Sequence, residues 1–104
     1  MKNETLNPVK ISISGEESFD FIQNLITNDL NKIDKTLYSY LLTPQGKILC
    51  EVQIEKLNEK FELICTNDQV NLFKYLDKYS KLSDISIKKL YVSNTIYGKN
   101  YLLN

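Results

Sequence analysis

Apolar and polar residues alternate from Val9 to Ile13, with Lys10 and Ser12 between the apolar positions. This is the pattern of a short half-buried strand. It runs into Ser14-Gly15-Glu16-Glu17, which has the form of a capping box: a hydroxyl and a carboxylate three residues apart can satisfy each other's free N–H groups. Phe19, Ile22, Leu25, Ile26 and Leu30 then recur at helical spacing. The pattern predicts a helix ending near Asn28–Asn31, with acids in its first turn where the helix dipole favours them.

The middle of the chain predicts a hairpin. Leu37–Leu42 is rich in Tyr and Leu, and Thr43-Pro44-Gln45-Gly46 places proline at the second and glycine at the fourth position of a type I turn. Ile48, Cys50, Val52 and Ile54 then point one way, while Lys47, Leu49, Glu51, Gln53 and Glu55 point the other. Asn58-Glu59-Lys60 turns the chain, and Phe61, Leu63 and Cys65 extend the buried face on a third strand. Ile48, Val52, Phe61 and Leu63 are expected to form that face together.

Thr66-x-x-Gln69 predicts a second capping box, opening a helix with Val70, Phe73, Leu76 and Tyr79 inward. Ile85, Ile87 and Leu90 mark a further strand. The tail Tyr91–Asn104 is apolar enough to pack but has no clear period. The order β-α-β-β-β-α-β contains a split β-α-β. It predicts an α+β, ferredoxin-like sandwich, an antiparallel-rich sheet with two helices on one face. Residues 1–104 are expected to form a single domain, without repeat or linker.

Composition narrows the chemistry. Thirteen lysines and no arginine balance 13 acids, for a formal net charge of zero, which argues against nucleic acid or an anionic membrane held by bulk electrostatics. The crowding of Lys, Asn, Ile, Leu and Tyr, with no Ala, Arg, Trp or His, fits drift in an AT-rich genome. Without histidine, Ser-His-Asp and Cys-His schemes and the HExxH zinc site are excluded within this chain. Two cysteines, Cys50 and Cys65, cannot alone complete a Cys₄ metal site, so no metal is expected to be bound by this chain alone. Three glycines cannot build GxGxxG. No apolar run is long enough to span a bilayer, and Met1–Pro8 has no signal-peptide core, so a cytoplasmic location with reduced thiols is expected. If Asn58-Glu59 forms a two-residue loop, Cys65 faces Val52, and the two thiols are diagonal neighbours, too far apart for a relaxed disulfide.

Two blocks carry a family resemblance. Gly15-Glu16-Glu17-Ser18-Phe19-Asp20-Phe21-Ile22-Gln23-Asn24-Leu25-Ile26-Thr27-Asn28-Asp29-Leu30 resembles the early helix of the folate-binding glycine cleavage T-protein (aminomethyltransferase) superfamily. Leu41-Leu42-Thr43-Pro44-Gln45-Gly46-Lys47-Ile48-Leu49 resembles the Leu-Thr-Pro-Gln-Gly-Arg/Lys hairpin of the YgfZ branch of that superfamily. The resemblance covers residues 9–90. Family members are much longer, so the sequence is expected to be their N-terminal folate-binding-type module only. It ends before the Lys-Gly-Cys-Tyr block of the YgfZ branch.

The resemblance implies a reduced folate, tetrahydrofolate or a relative, as cofactor, with Glu51, Asn67 and Leu49 at its site. Where aminomethyltransferases of the family have an Asp-Asp pair, this chain has Cys50-Glu51, so no catalytic residue is assigned. Asn67 matches a pterin-contacting Asn. Each residue also has a plain reading: Glu51 as a solvated strand carboxylate, Asn67 as a turn or cap residue, Asn28-Asp29 as a helix terminator, and both cysteines as core packing. Three functions are therefore weighed. The expected one is a non-catalytic YgfZ-like protein linked to iron–sulfur protein maturation, and the other two are its alternatives. The second is a folate-dependent aminomethyltransferase fragment. The third is a structural module completed as a homodimer or by a companion chain, since truncating a larger fold exposes apolar surface.

Overall fold

The computed structural model describes residues 7–90; the apolar tail 91–104 lies outside the described residues. The elements run β1 (Val9–Ser14), α1 (Ser18–Gln23), β2 (Thr36–Leu42), β3 (Ile48–Leu57), β4 (Lys60–Cys65), α2 (Leu72–Ser80) and β5 (Ser86–Leu90). A 3₁₀ turn over Leu30–Lys32 separates α1 from β2. The element order is the one that the periodicities predict.

The strands form one sheet in the order β2-β3-β4-β1-β5, with every neighbouring pair antiparallel. β4 and β5 thus run the same way on either side of β1, and α2 joins them, which is the split β-α-β unit. β1 and β2 run in opposite directions, so α1 links antiparallel strands. Across the sheet, Ile11 stands opposite Leu63 and Ile13 opposite Phe61, while Leu63 on its other side faces Ile54. This row, with Val52 and Leu41, meets Phe21 and Ile22 of α1 and Leu72 and Leu76 of α2 in one core. The Phe19 and Phe61 rings lie 6.4 Å apart at 60°, a tilted aromatic pair. Both helices therefore cover one sheet face.

The hairpin turn forms as expected. The Gly46 N–H donates to the Thr43 carbonyl at 2.8 Å, and Gly46 takes a φ of +87° that favours glycine. Leu57 pairs with Lys60, leaving Asn58-Glu59 as a two-residue loop.

Several helix and burial expectations are corrected. α1 stops at Gln23. Leu25 and Ile26 instead run beside β2: Ile26 bridges Leu41, the Leu42 N–H donates to the Leu25 carbonyl and the Thr27 N–H to the Tyr40 carbonyl. The backbone groups along that side of β2 need partners, and this demand outweighs helical spacing. The Ser14–Glu17 capping box does not form. Ser14 belongs to β1, and the Glu17 carboxylate accepts the Asp84 N–H at 3.1 Å. Nor does Thr66 open α2. Both Asp68 carboxylate oxygens accept the Leu72 N–H, at 2.9 and 3.1 Å, and Asn71 is the cap residue, leaving Val70 exposed. Ile48 is 64% exposed rather than buried. The pairing jumps from Leu41↔Cys50 to Leu42↔Ile48, so Leu49 is an extra residue on β3, and such a bulge breaks the alternation of faces.

Candidate functional site

The sheet face away from the helices carries Tyr38 and Tyr40 on β2, Glu51 and Gln53 on β3 and Ile64 on β4. Cross-strand pairing sets Tyr38 beside Gln53, Gln53 beside Ile64, and Tyr40 beside Glu51. With Thr27, Asn28, Ser39, Val52 and Thr66, these residues line a concavity of about 540 Å³. That is within the range of small-molecule sites.

One rim is fixed by a polar network. The Ser39 hydroxyl accepts the backbone N–H groups of Thr27 and Asn28, each at 3.1 Å, and donates to the Tyr40 carbonyl at 3.0 Å. Asn28 donates its side-chain amide to the Tyr38 carbonyl at 3.0 Å, and its Oδ1 accepts the Asp29 N–H at 2.8 Å. These bonds hold the segment after α1 against β2. The floor is Ile64, which is buried, while Tyr38 and Tyr40 stand 68% and 43% exposed. Gln53 donates to the Glu55 carboxylate at 3.0 Å. Glu51 is the carboxylate among the lining residues, with two phenols and an amide as its neighbours. This set can accept and donate hydrogen bonds to a polar heterocycle edge and offer ring faces for stacking.

Of the three residues singled out from the sequence, Glu51 lines the concavity and Asn67 and Leu49 do not. Asn67 is exposed and pairs with Asn7 in an isolated bridge, although its neighbour Thr66 is a lining residue. Leu49, at the bulge, is half-buried and packs against the core. Tyr38, Tyr40 and Gln53 join the site because of hairpin register. The sequence signal for them is the Pro44–Gly46 turn, which determines which β2 residue meets Glu51.

Behind the concavity, on the core side, Cys50 and Cys65 are free thiols. The neighbouring Cys65 thiol, ahead of burial, pushes the Cys50 thiol up. The Cys50 thiol in turn lowers Cys65 against the opposing effect of burial. Among the described residues there is no group of three or more His, Cys, Asp or Glu side chains that could hold a metal ion. No helix among them is long and apolar enough to cross a membrane.

No family model matches the chain. Among curated proteins, it is 29% identical over 87 residues to an aminomethyltransferase of Caldanaerobacter subterraneus, covering 82% of this chain and 22% of the relative. It is 38% identical over 60 residues to an aminomethyltransferase of Staphylococcus epidermidis, covering 56% of this chain and 16% of the relative. The solved structure of the glycine cleavage system aminomethyltransferase T from Bartonella henselae superposes with a TM-score of 0.68 at 24% identity, over 80% of this chain and 24% of that one. The chain has a glycine cleavage T-protein-like fold, and it spans about a fifth of the length of these curated relatives.

Proposed function

We propose that this chain is a T-protein-type module that supplies one wall of a reduced-folate site and does not transfer an aminomethyl group by itself. The observation that carries the reading is the position of Glu51, opposite Tyr40 and inside the concavity with Tyr38 and Gln53. A carboxylate can accept paired hydrogen bonds from the donor-rich amino-pyrimidinone edge of a pterin, and tyrosine rings can stack on it. The curated relatives are aminomethyltransferases, so the chemistry of reference is theirs. Catalysis asks for a preorganised acid at the reacting nitrogen. Here the residue before Glu51 is Cys50, which supplies no carboxylate. A YgfZ-type role in iron–sulfur protein maturation is the second reading, favoured by the Thr43–Gly46 turn that forms as the hairpin block requires.

The remaining walls come from outside residues 7–90, and a second copy or a companion chain is the partner this reading assigns. Exposed Tyr38 and Tyr40 provide apolar surface for it. Sedimentation equilibrium at micromolar concentration should show a dimer or larger species; a clean monomer overturns that part. The cytoplasm is the compartment assigned, in keeping with two free thiols.

Ligand-observed NMR with tetrahydrofolate tests the site. With one wall only, most of the ligand stays in water, so binding by the isolated chain should be no tighter than high micromolar, because few contacts offset the lost ligand freedom. The signal should vanish in Glu51→Ala. Tight binding, or binding unchanged in that variant, would overturn the assignment.

A further inference from the structure

One row of residues crosses the whole sheet on the face away from the helices. Leu90 on β5 stands opposite Lys10 on β1, Lys10 opposite Ile64 on β4, Ile64 opposite Gln53 on β3, and Gln53 opposite Tyr38 on β2. The neighbouring row sets Lys88 beside Ser12, Ser12 beside Glu62, and Glu62 beside Glu55. Among the described residues, no helix or further strand lies over this face. Its outer strands behave accordingly, with Tyr38 and Lys88 exposed. Its centre does not. Ile64 is 3% exposed, and Ser12 and Glu62 are each 8% exposed. Lys10 and Glu62 pair at 3.6 Å with their side chains only 12% and 10% exposed. A sheet face open to water carries wet polar side chains, and charged groups are seldom buried this far. The centre of the face has the burial of a covered surface.

We propose that the chain's own residues 91–104 fold back from β5 and cover the centre of this face, over Lys10, Ser12, Glu62 and Ile64. The segment starts in the right place. Leu90 is the last residue of β5 and the first of the row, so the chain leaves the sheet beside Lys10. It is also long enough. Neighbouring strands lie about 4.8 Å apart, so β4 is about 10 Å from β5, against a reach of about 3.3 Å for each extended residue. Its chemistry fits as well. Tyr91, Val92, Ile96, Tyr97, Leu102 and Leu103 can cover Ile64, Leu90 and the aliphatic stem of Lys10, while Ser93, Asn94 and Thr95 offer hydrogen-bond partners to Ser12. Residues 1–6 are a poorer fit, because they are few and Lys2, Asn3, Glu4 and Thr5 make them mostly polar. Pairing of the tail along the outer side of β5 would extend the sheet sideways and leave Ser12, Glu62 and Ile64 uncovered.

Ile64 gives the cover its consequence. It is also a lining residue of the concavity, so a segment lying over Ile64 borders the concavity on its β4 side. This chain then supplies part of a second wall itself. The cover does not depend on the folate reading, and its test uses no folate.

Nuclear Overhauser spectra of the full chain test the cover. The Ile64 methyl groups should show cross-peaks to side chains of residues 91–104, and these should be absent from an isotope-filtered spectrum of mixed labelled and unlabelled protein. Cross-peaks that appear in the filtered spectrum would assign the face to a second copy and overturn the proposal. So would cross-peaks from Ile64 to residues 1–6 alone, or none to residues 91–104. A soluble gadolinium chelate gives a second readout. In the wild type it should erase the methyl signals of Leu82, which is 85% exposed, and spare those of Ile64. In the full-length variant combining Ile96→Ser, Leu102→Ser and Leu103→Ser, the Ile64 signals should be lost too. Ile64 signals equally spared in a folded variant would overturn the cover. Should that variant lose the wild-type amide pattern of β1 and β4, the cross-peaks of the wild type decide alone.

Discussion

Gly15 lies against the backbone of Asp84. A Cβ at Gly15 would stand 2.6 Å from the Asp84 carbonyl oxygen and 2.8 Å from the Ile85 Cα, and its φ is +117°. The turn after β1 and the entry to β5 are thereby locked together. The Glu17 N–H donates to the Asp84 carbonyl at 3.3 Å, and its carboxylate accepts the Asp84 N–H at 3.1 Å. Gly15→Ala combines an unfavourable φ with a backbone clash, and the expected loss is about 2–4 kcal/mol by urea denaturation. Glu17→Gln, which keeps an acceptor, should cost less than about 1 kcal/mol.

Phe61 and Ile48 have equal standing in the alternation of the sequence but opposite surroundings in the fold. Phe61 is 8% exposed and contacts Phe19, whereas Ile48 is 64% exposed. Phe61→Ala should cost about 3–5 kcal/mol. Ile48→Ala should stay within about 0.5 kcal/mol. Chemical denaturation of both variants checks the bulge at Leu49, since restored alternation would make both changes severe.

Asp68, rather than Thr66, anchors the start of α2. Its carboxylate takes the Leu72 N–H on both oxygens and is buried. Asp68→Ala should cost about 1–2 kcal/mol, the range for a lost cap. Thr66→Ala, at an exposed position, should cost less than about 0.5 kcal/mol. Thermal unfolding of the two variants separates these outcomes.

Tyr75 contributes a pH dependence on the alkaline side. Burial, and then neighbouring Tyr79, raise its phenol above the ordinary value of 10.0, and its hydroxyl is buried without a hydrogen-bond partner among the described residues. In the folded chain it keeps its proton at a pH where the unfolded chain has lost it. The unfolded state then binds fewer protons, and stability falls as pH rises from about 10 through the folded pKa; below that range the contribution is intact. Tyr75→Phe should flatten this part of the stability–pH curve. At neutral pH it should leave stability unchanged or raised by up to about 1 kcal/mol, since an unsatisfied hydroxyl is removed.

β1 and β3 were legible because apolar residues facing the core alternate with polar ones, which writes period two into the sequence. Val9–Ile13 and Val52–Ile54 show it, whereas Phe61–Cys65 on β4 is buried at every residue, Ile64 on the other face included. Helix boundaries were less legible because local signals compete. Thr66 and Asp68 are both good caps in sequence, and only Asp68 has the burial that rewards its two hydrogen bonds. Ile26 and Leu30 are buried as their spacing implies, but the free side of β2, not a helix, receives Ile26. At the site, Glu51 was within reach because a motif marks it. Tyr38 and Gln53 were not, because their meeting depends on a register that alternation leaves undetermined.

The strand order places β1 between β4 and β5, and this sets a schedule for the growing chain. β1 leaves the ribosome before either of its neighbours has been made, and β5 ends at Leu90. At roughly 5–20 residues per second, β1 waits on the order of several seconds with both of its pairing sides unclaimed. β2, β3 and β4 are joined by short turns and can zip as a meander in the meantime, offering β4 as the template on which β1 docks. Closure by β5 comes last, so the Gly15–Asp84 contact is a late seal, and weakening it should burden the nascent chain more than the finished protein.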